Sequence, residues 1–157
     1  KRGNKKIDTK PYGSVSIDVD TLDTDLTRSR SEWLEEKSID WSELSYAKFL
    51  PRFLSFCDRR GIKATFFIVA KHALNKKNGA MIKTIANNGH EIANHTLNHL
   101  KHFSYLNEKQ MEKEILTAED ILTNLTGKRI FGFRSPGYTV NEKVLAGLGR
   151  DVLGVDR

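Results

Sequence analysis

Apolar residues along this chain switch between two periods. Val15, Ile17 and Val19 alternate with Ser14, Ser16 and Asp18 after the Pro11-Tyr12-Gly13 breaker, the period of a short strand running into a polar loop. Phe49, Leu50, Phe53, Leu54 and Cys57 then recur at helical spacing, which predicts a helix from about Pro51 to Arg60 with Gly61 ending it. Ala64-Thr65-Phe66-Phe67-Ile68-Val69 is a continuous apolar run of the kind buried on both faces of a parallel sheet. Asn78 to Asn88 reads as a helix with Met81, Ile82 and Ile85 inward, closed by Gly89 before a short strand His90-Glu91-Ile92-Ala93. Asn107 and Gln110 form a capping box for a helix with Met111, Ile115, Ala118, Ile121, Leu122 and Leu125 on one face, ended by Gly127. A fourth strand, Ile130-Phe131-Gly132-Phe133, and a last helix capped by Asn141 and running to Leu148 complete the pattern. Strand and helix in alternation imply an α/β fold of parallel strands and right-handed crossovers, either a barrel or an open sheet.

Between the first strand and the first helix, Leu22 to Leu44 is charged and irregular, with Trp33 and Trp41 as its large apolar residues. It reads as a covering loop that carries specificity. Residues 1–13 read as a loose polar tail, and residues 14–157 as one domain. The length of 157 residues and the 38% hydrophobic share suit a single core. The formal charge of +6 owes much to Lys1, Arg2, Lys5 and Lys6, more simply a solvated tail than a site for an anionic partner. Nucleic acid is not expected, because basic residues alternate with acidic ones and no basic-aromatic interleaving is present. Cys57 is the sole cysteine, so no internal disulfide can form. Its apolar neighbours make it a core thiol rather than a nucleophile. No apolar run reaches the roughly 20 residues of a membrane span and no signal-type segment opens the chain, which leans the expectation towards a cytoplasmic setting.

Reactive groups of parallel α/β folds gather at the carboxyl ends of strands, and three strand ends here carry unusual polar groups. Asp18 and Asp20 flank Val19, and strand alternation sends both carboxylates to one side. His95 and His99 lie four apart; on a helical turn their rings would share a face and could clamp a divalent ion at about 2.0–2.2 Å. Arg134 stands at the end of the fourth strand, in a turn where its guanidinium could grip a carboxylate. His72, His90 and His102 have plainer readings, His102 as an exposed residue and His90 as a partly buried start of a strand.

With these residues in place, the chain from about Ser14 to about Leu148 resembles the polysaccharide deacetylase family, carbohydrate esterase family 4, whose shared unit is the NodB homology domain. Ser16-Ile17-Asp18-Val19-Asp20 is similar to the first motif in an aspartate-spaced form. His95-Thr96-Leu97-Asn98-His99 matches the second, His-Ser/Thr-x-x-His, and Arg134-Ser135-Pro136 matches the third. The resemblance implies a distorted (β/α) barrel, incomplete at its C-terminal end. It implies Asp20, His95 and His99 as ligands of a divalent metal, zinc first with cobalt, nickel or manganese as alternatives. It also implies Asp18 as general base, Arg134 as the residue that orients it, and a backbone N–H in the Pro136-Gly137-Tyr138 turn as oxyanion donor. Gly137 departs from the tyrosine that often follows the motif's proline. The late histidine that serves the family as general acid has no counterpart after His102. The implied reaction is hydrolysis of an N-acetyl or N-formyl amide on an amino sugar of a polysaccharide or lipid-linked saccharide. The alternatives are an amidohydrolase of small cyclic amides and a non-catalytic metal- or carbohydrate-binding fragment.

Overall fold

The structure is a computed structural model and describes residues 13–21 and 44–145. The tail, apart from Gly13, and nearly all of the expected covering loop, with Trp33 and Trp41, lie outside the described residues, as does the last helix beyond Leu145. Three parallel strands form the sheet in the order β1-β2-β3: β1 is Val15–Val19, β2 Ala64–Ile68 and β3 Glu91–Asn94. The register pairs Val19 with Ile68 and Ile68 with Asn94. The carboxyl ends of all three strands therefore lie side by side, and the polar groups that follow them share one rim.

Helix α1 (Leu50–Arg60) follows a π-helical turn, Leu44–Phe49; Pro51 sits in its first turn and Gly61 ends it in the left-handed region at φ 63°. Helix α2 (Lys76–Asn87) begins two residues before the predicted start. Asn75 is its cap, accepting from Lys77 N–H at 2.9 Å and Asn78 N–H at 3.4 Å. Helix α3 (Glu108–Thr126) has the predicted capping box, with Asn107 and Gln110 exchanging hydrogen bonds. Asn141 likewise caps a turn at 142–145 through Val144 N–H. Among the described residues no helix is long and apolar enough to cross a membrane.

The helices pack on the sheet through Leu50, Leu54, Phe66, Ile68, Ile82, Ile85, Ile92, Ala118 and Leu122, with Phe103, Met111, Ile115 and Val144 in a second cluster. Cys57 is fully buried, and burial pushes its thiol pKa up, in keeping with a core role. His90 is more buried than expected and accepts Ala64 N–H on Nδ1 at 3.2 Å.

The fourth predicted strand is reduced to one parallel bridge, between Asn94 and Phe133. Asn94 N–H donates to Gly132 at 2.8 Å and Arg134 N–H returns to Asn94 at 3.0 Å. Gly132 is required here, since a Cβ on it would lie 2.8 Å from that of Ala93. Two residues after Arg134, Pro136 offers no N–H and the chain turns, so the ladder cannot lengthen. The single bridge still places Arg134 beside the end of β3.

Candidate metal centre

Val19 is buried, and its neighbours Asp18 and Asp20 extend to the other side of β1, as alternation requires. Asp20 reaches the His95–His99 segment: one carboxylate oxygen is 3.7 Å from His99 Nε2. Asp20, His95 and His99 each offer a ligand-type atom, all within 4.8 Å of one another. The two imidazole centroids are 4.8 Å apart.

The two histidines do not meet on a helical turn. Thr96 (φ 64°) and His99 (φ 55°) occupy the left-handed region, uncommon for residues other than glycine. The backbone donors of this loop are taken by side chains and by carbonyls of other elements, which displaces the helical pattern. Thr96 N–H donates to Asn94 Oδ1 at 2.8 Å, His99 N–H to Thr96 Oγ1 at 3.1 Å and Leu97 N–H to the Glu114 carbonyl at 3.0 Å. The loop thus brings the rings together by a different route from the predicted one.

The donor set suits a divalent ion. His95 Nδ1–H donates to the Arg134 carbonyl at 2.8 Å, which fixes the tautomer and leaves Nε2 with its lone pair. Burial holds the His95 pKa below its ordinary value, only partly opposed by that hydrogen bond, so the ring is in its neutral, ligating form. His99 Nδ1 is buried without a hydrogen-bond partner among the described residues. The 3.7 Å between His99 and Asp20 is too long for a hydrogen bond. It is close to the roughly 3.4 Å that separates two ligands each about 2.0–2.2 Å from a tetrahedral ion.

Asp18 faces a different set of partners. One oxygen accepts from Arg134 Nη1, and the other accepts from the Tyr138 hydroxyl at 2.7 Å. Arg134 is itself held by Ser16 Oγ at 2.8 Å and lies 3.9 Å over the Phe67 ring. The hydrogen bond to Asp18 raises the Tyr138 pKa, because losing the phenolic proton would set two anions side by side. Residues 136–138 form a single 3-10 turn with Gly137 at φ 63° and Tyr138 at φ 56°, and Tyr138 N–H is used within it, donating to Ser135 at 3.1 Å.

Asp18, Asp20, His95, His99, Arg134 and Tyr138 thus gather on one rim, with Pro136 and Gly137 in the turn beside it. Sequence reasoning missed the groups around them: Ser16 and Phe67 flanking Arg134, Asn94 and Glu114 behind the histidine loop, and Tyr46, whose buried hydroxyl has its pKa raised by burial and by Asp20. Alternation along β1 could have flagged Ser16, which shares the face of Asp18. His72 is buried near Thr21 and His102 is exposed, so neither joins the triad.

Comparison with known proteins bears on the family and the fold. The family model described as polysaccharide deacetylase matches residues 38–151, a span that includes both histidines and Arg134 but not β1. A peptidoglycan-N-acetylglucosamine deacetylase of Bacillus cereus is 36% identical over 80 residues, covering 51% of this chain and 28% of the relative. The fold is similar to a carbohydrate esterase family 4 pseudoenzyme of Bacillus anthracis (TM-score 0.64, 18% identity, 87% of this chain and 39% of that one). It is similar also to a family 4 acetyl xylan esterase of Clostridium thermocellum in complex with a cobalt ion (TM-score 0.62, 20% identity, 85% and 53%). The chain thus spans between about a quarter and about half of the length of these relatives. With 114 consecutive residues inside the family model and the same α/β fold in its neighbours, the chain belongs to the polysaccharide deacetylase family.

Proposed function

We propose that this chain carries the metal-binding part of a hydrolase that removes an N-acyl group, acetyl or formyl, from an amino sugar of a polysaccharide or lipid-linked saccharide. The observation that carries the reading is the convergence of Asp20, His95 and His99 beside a second carboxylate, Asp18, that is not part of their group. Asp20, His95 and His99 would hold the ion, with zinc the first candidate for two imidazoles and a carboxylate and cobalt, nickel or manganese next. A divalent ion there supplies Lewis acidity for an amide carbonyl and lowers the pKa of water to about 7.

The remaining work falls to the chain's own side chains. Asp18 is the general base, taking a proton from the attacking water. Arg134 fixes one of its oxygens, and Ser16 and Phe67 fix Arg134, so the base meets the water in one orientation. Tyr138 O–H donates to the second oxygen, whose other lone pair is open to the proton of the attacking water. In the Pro136-Gly137-Tyr138 turn, Gly137 N–H is the donor assigned to the developing oxyanion, because Pro136 has none and that of Tyr138 is used within the turn. The likeness to named peptidoglycan deacetylases favours an acylated amino sugar over a small cyclic amide.

A pseudoenzyme with the same fold favours a second reading, a domain that binds metal and sugar without turnover. Assay on N-acetylated glucosamine oligomers with added zinc, cobalt or manganese separates the two. Under the hydrolase reading acetate is released, and Asp18→Asn slows release by about 10²–10⁴-fold with the ion retained. Metal binding without acetate release in the wild type would establish the second reading, and an unchanged rate in Asp18→Asn would remove Asp18 as the base.

A further inference from the structure

Glu114 is a buried carboxylate on α3, outside both the Asp20-His95-His99 group and the Asp18-Arg134 pair. Its side chain is fully engaged. Oε2 accepts Asn98 N–H at 2.8 Å and Oε1 accepts Asn98 Nδ2 at 2.6 Å, while its main-chain carbonyl accepts Leu97 N–H at 3.0 Å. The next carbonyl along the helix, that of Ile115, accepts Asn94 Nδ2 at 2.9 Å. Four hydrogen bonds thus join one turn of α3 to residues 94–98, the stretch that ends at His99.

A buried carboxylate is costly unless its oxygens are satisfied, and here the partners that satisfy it come from the loop between the two histidines. That loop needs outside support: Thr96 and His99 hold left-handed backbone conformations, which persist only where the surroundings over-determine them. By accepting the backbone N–H of Asn98 together with its side-chain amide, Glu114 removes the alternative in which Asn98 N–H closes a helical turn onto Asn94. The acceptor of that turn is engaged as well, since the Asn94 main-chain carbonyl receives Arg134 N–H at 3.0 Å.

We propose that Glu114 is a positioning residue whose carboxylate clamps the His95–His99 loop in the conformation that brings the two imidazoles together, and so sets the affinity of the site for a divalent cation. This rests on the reading that His95 and His99 hold the ion. Glu114 touches neither imidazole and acts through Asn98.

The test is titration of the full chain with Co²⁺, following heat and the visible ligand-field bands. Glu114→Gln replaces one acceptor by a donor facing Asn98 and is expected to weaken binding about tenfold, within the range for residues that orient metal ligands. Asn98→Asp sets two carboxylates face to face and is expected to weaken it at least as much. Combining the two substitutions restores a donor-acceptor pair of the same total charge, and affinity is expected to recover to within about threefold of wild type. Leu122→Ala, a fully buried position on the same helix, serves as the stability control and should melt earlier while binding Co²⁺ as wild type. Should Glu114→Gln fail to fold, Asn98→Ala, at a half-buried position, carries the same expected tenfold loss. Wild-type affinity in the folded single variants, no recovery in the double variant, or an equal loss in Leu122→Ala would overturn the clamp. If His95→Ala loses Co²⁺ while Glu114→Gln keeps it, the clamp alone fails; if His95→Ala binds as wild type, the metal reading fails and the clamp with it.

Discussion

The two sides of the site are held by opposite means. The imidazole side is buried: His95 and His99 sit on a loop fixed by hydrogen bonds to β3, to α3 and to the Arg134 carbonyl. The carboxylate side lies nearer solvent, with Asp18 gripped by a cation and a phenol and Tyr138 largely exposed. Buried hydrogen bonds to oriented groups impose one geometry, whereas charged pairs near solvent are screened and cheaper to rearrange. The division matches the chemistry proposed for each half. Ligands of an ion must be in place before it arrives, and a base must exchange partners during the reaction.

Four substitutions break or sharpen this contrast. The largest effect is expected for Asp20→Ala, which removes a proposed ligand: divalent-metal affinity should fall by more than about 100-fold, exceeding the loss typical of residues one step removed. Calorimetric titration with zinc or cobalt measures it. Arg134→Gln should leave the ion bound yet lower kcat by about 100-fold, because a misplaced base costs that much even when its chemistry is intact; steady-state kinetics beside metal analysis reads both. Tyr138→Phe should change kcat by less than about tenfold, since it deletes one exposed hydrogen bond to Asp18. A larger loss would move Tyr138 into the machinery of the reaction.

The smallest effect concerns His90, remote from the carboxylate side. Burial lowers its pKa from the ordinary 6.5, and its Nδ1 is an acceptor only while the ring is neutral. The unfolded chain therefore binds the proton more readily than the fold does. Its contribution to stability is full above about pH 6.5 and is lost as pH falls towards the lowered folded value. Denaturant melts of the metal-free protein should steepen in pH dependence below 6.5 by at most about 1.4 kcal/mol per pH unit from this one group. His90→Gln should flatten that part of the curve.

Much of this was legible in the chain because the signals were local. Period-two alternation at Val15–Val19, the apolar run at Ala64–Val69 and the Asn107–Gln110 box each specify structure without distant partners, and each formed. Adjacent parallel strand ends then bring Asp18, Asp20, His95, His99 and Arg134 to one rim. What escaped depends on contacts between segments far apart in sequence. The expected strand at Ile130–Phe133 became a single bridge because Pro136, two residues after Arg134, has no N–H to extend the ladder and opens a turn. The expected helical turn at His95 gave way to side chains of Asn94, Thr96 and Glu114, the last of them 15 residues beyond His99. The Pro136-Gly137-Tyr138 turn was expected to offer a backbone N–H, with no part for the phenol, whose placement on Asp18 accompanies two successive left-handed residues, Gly137 and Tyr138.

Metal content of the purified full chain, compared between wild type and His95→Ala, tests the central claim most directly. One divalent ion per wild-type chain is expected, and none retained by the variant under the same dialysis. Equal metal in both would contradict it, since the ion would then be bound elsewhere and the convergence of Asp20, His95 and His99 would have another cause.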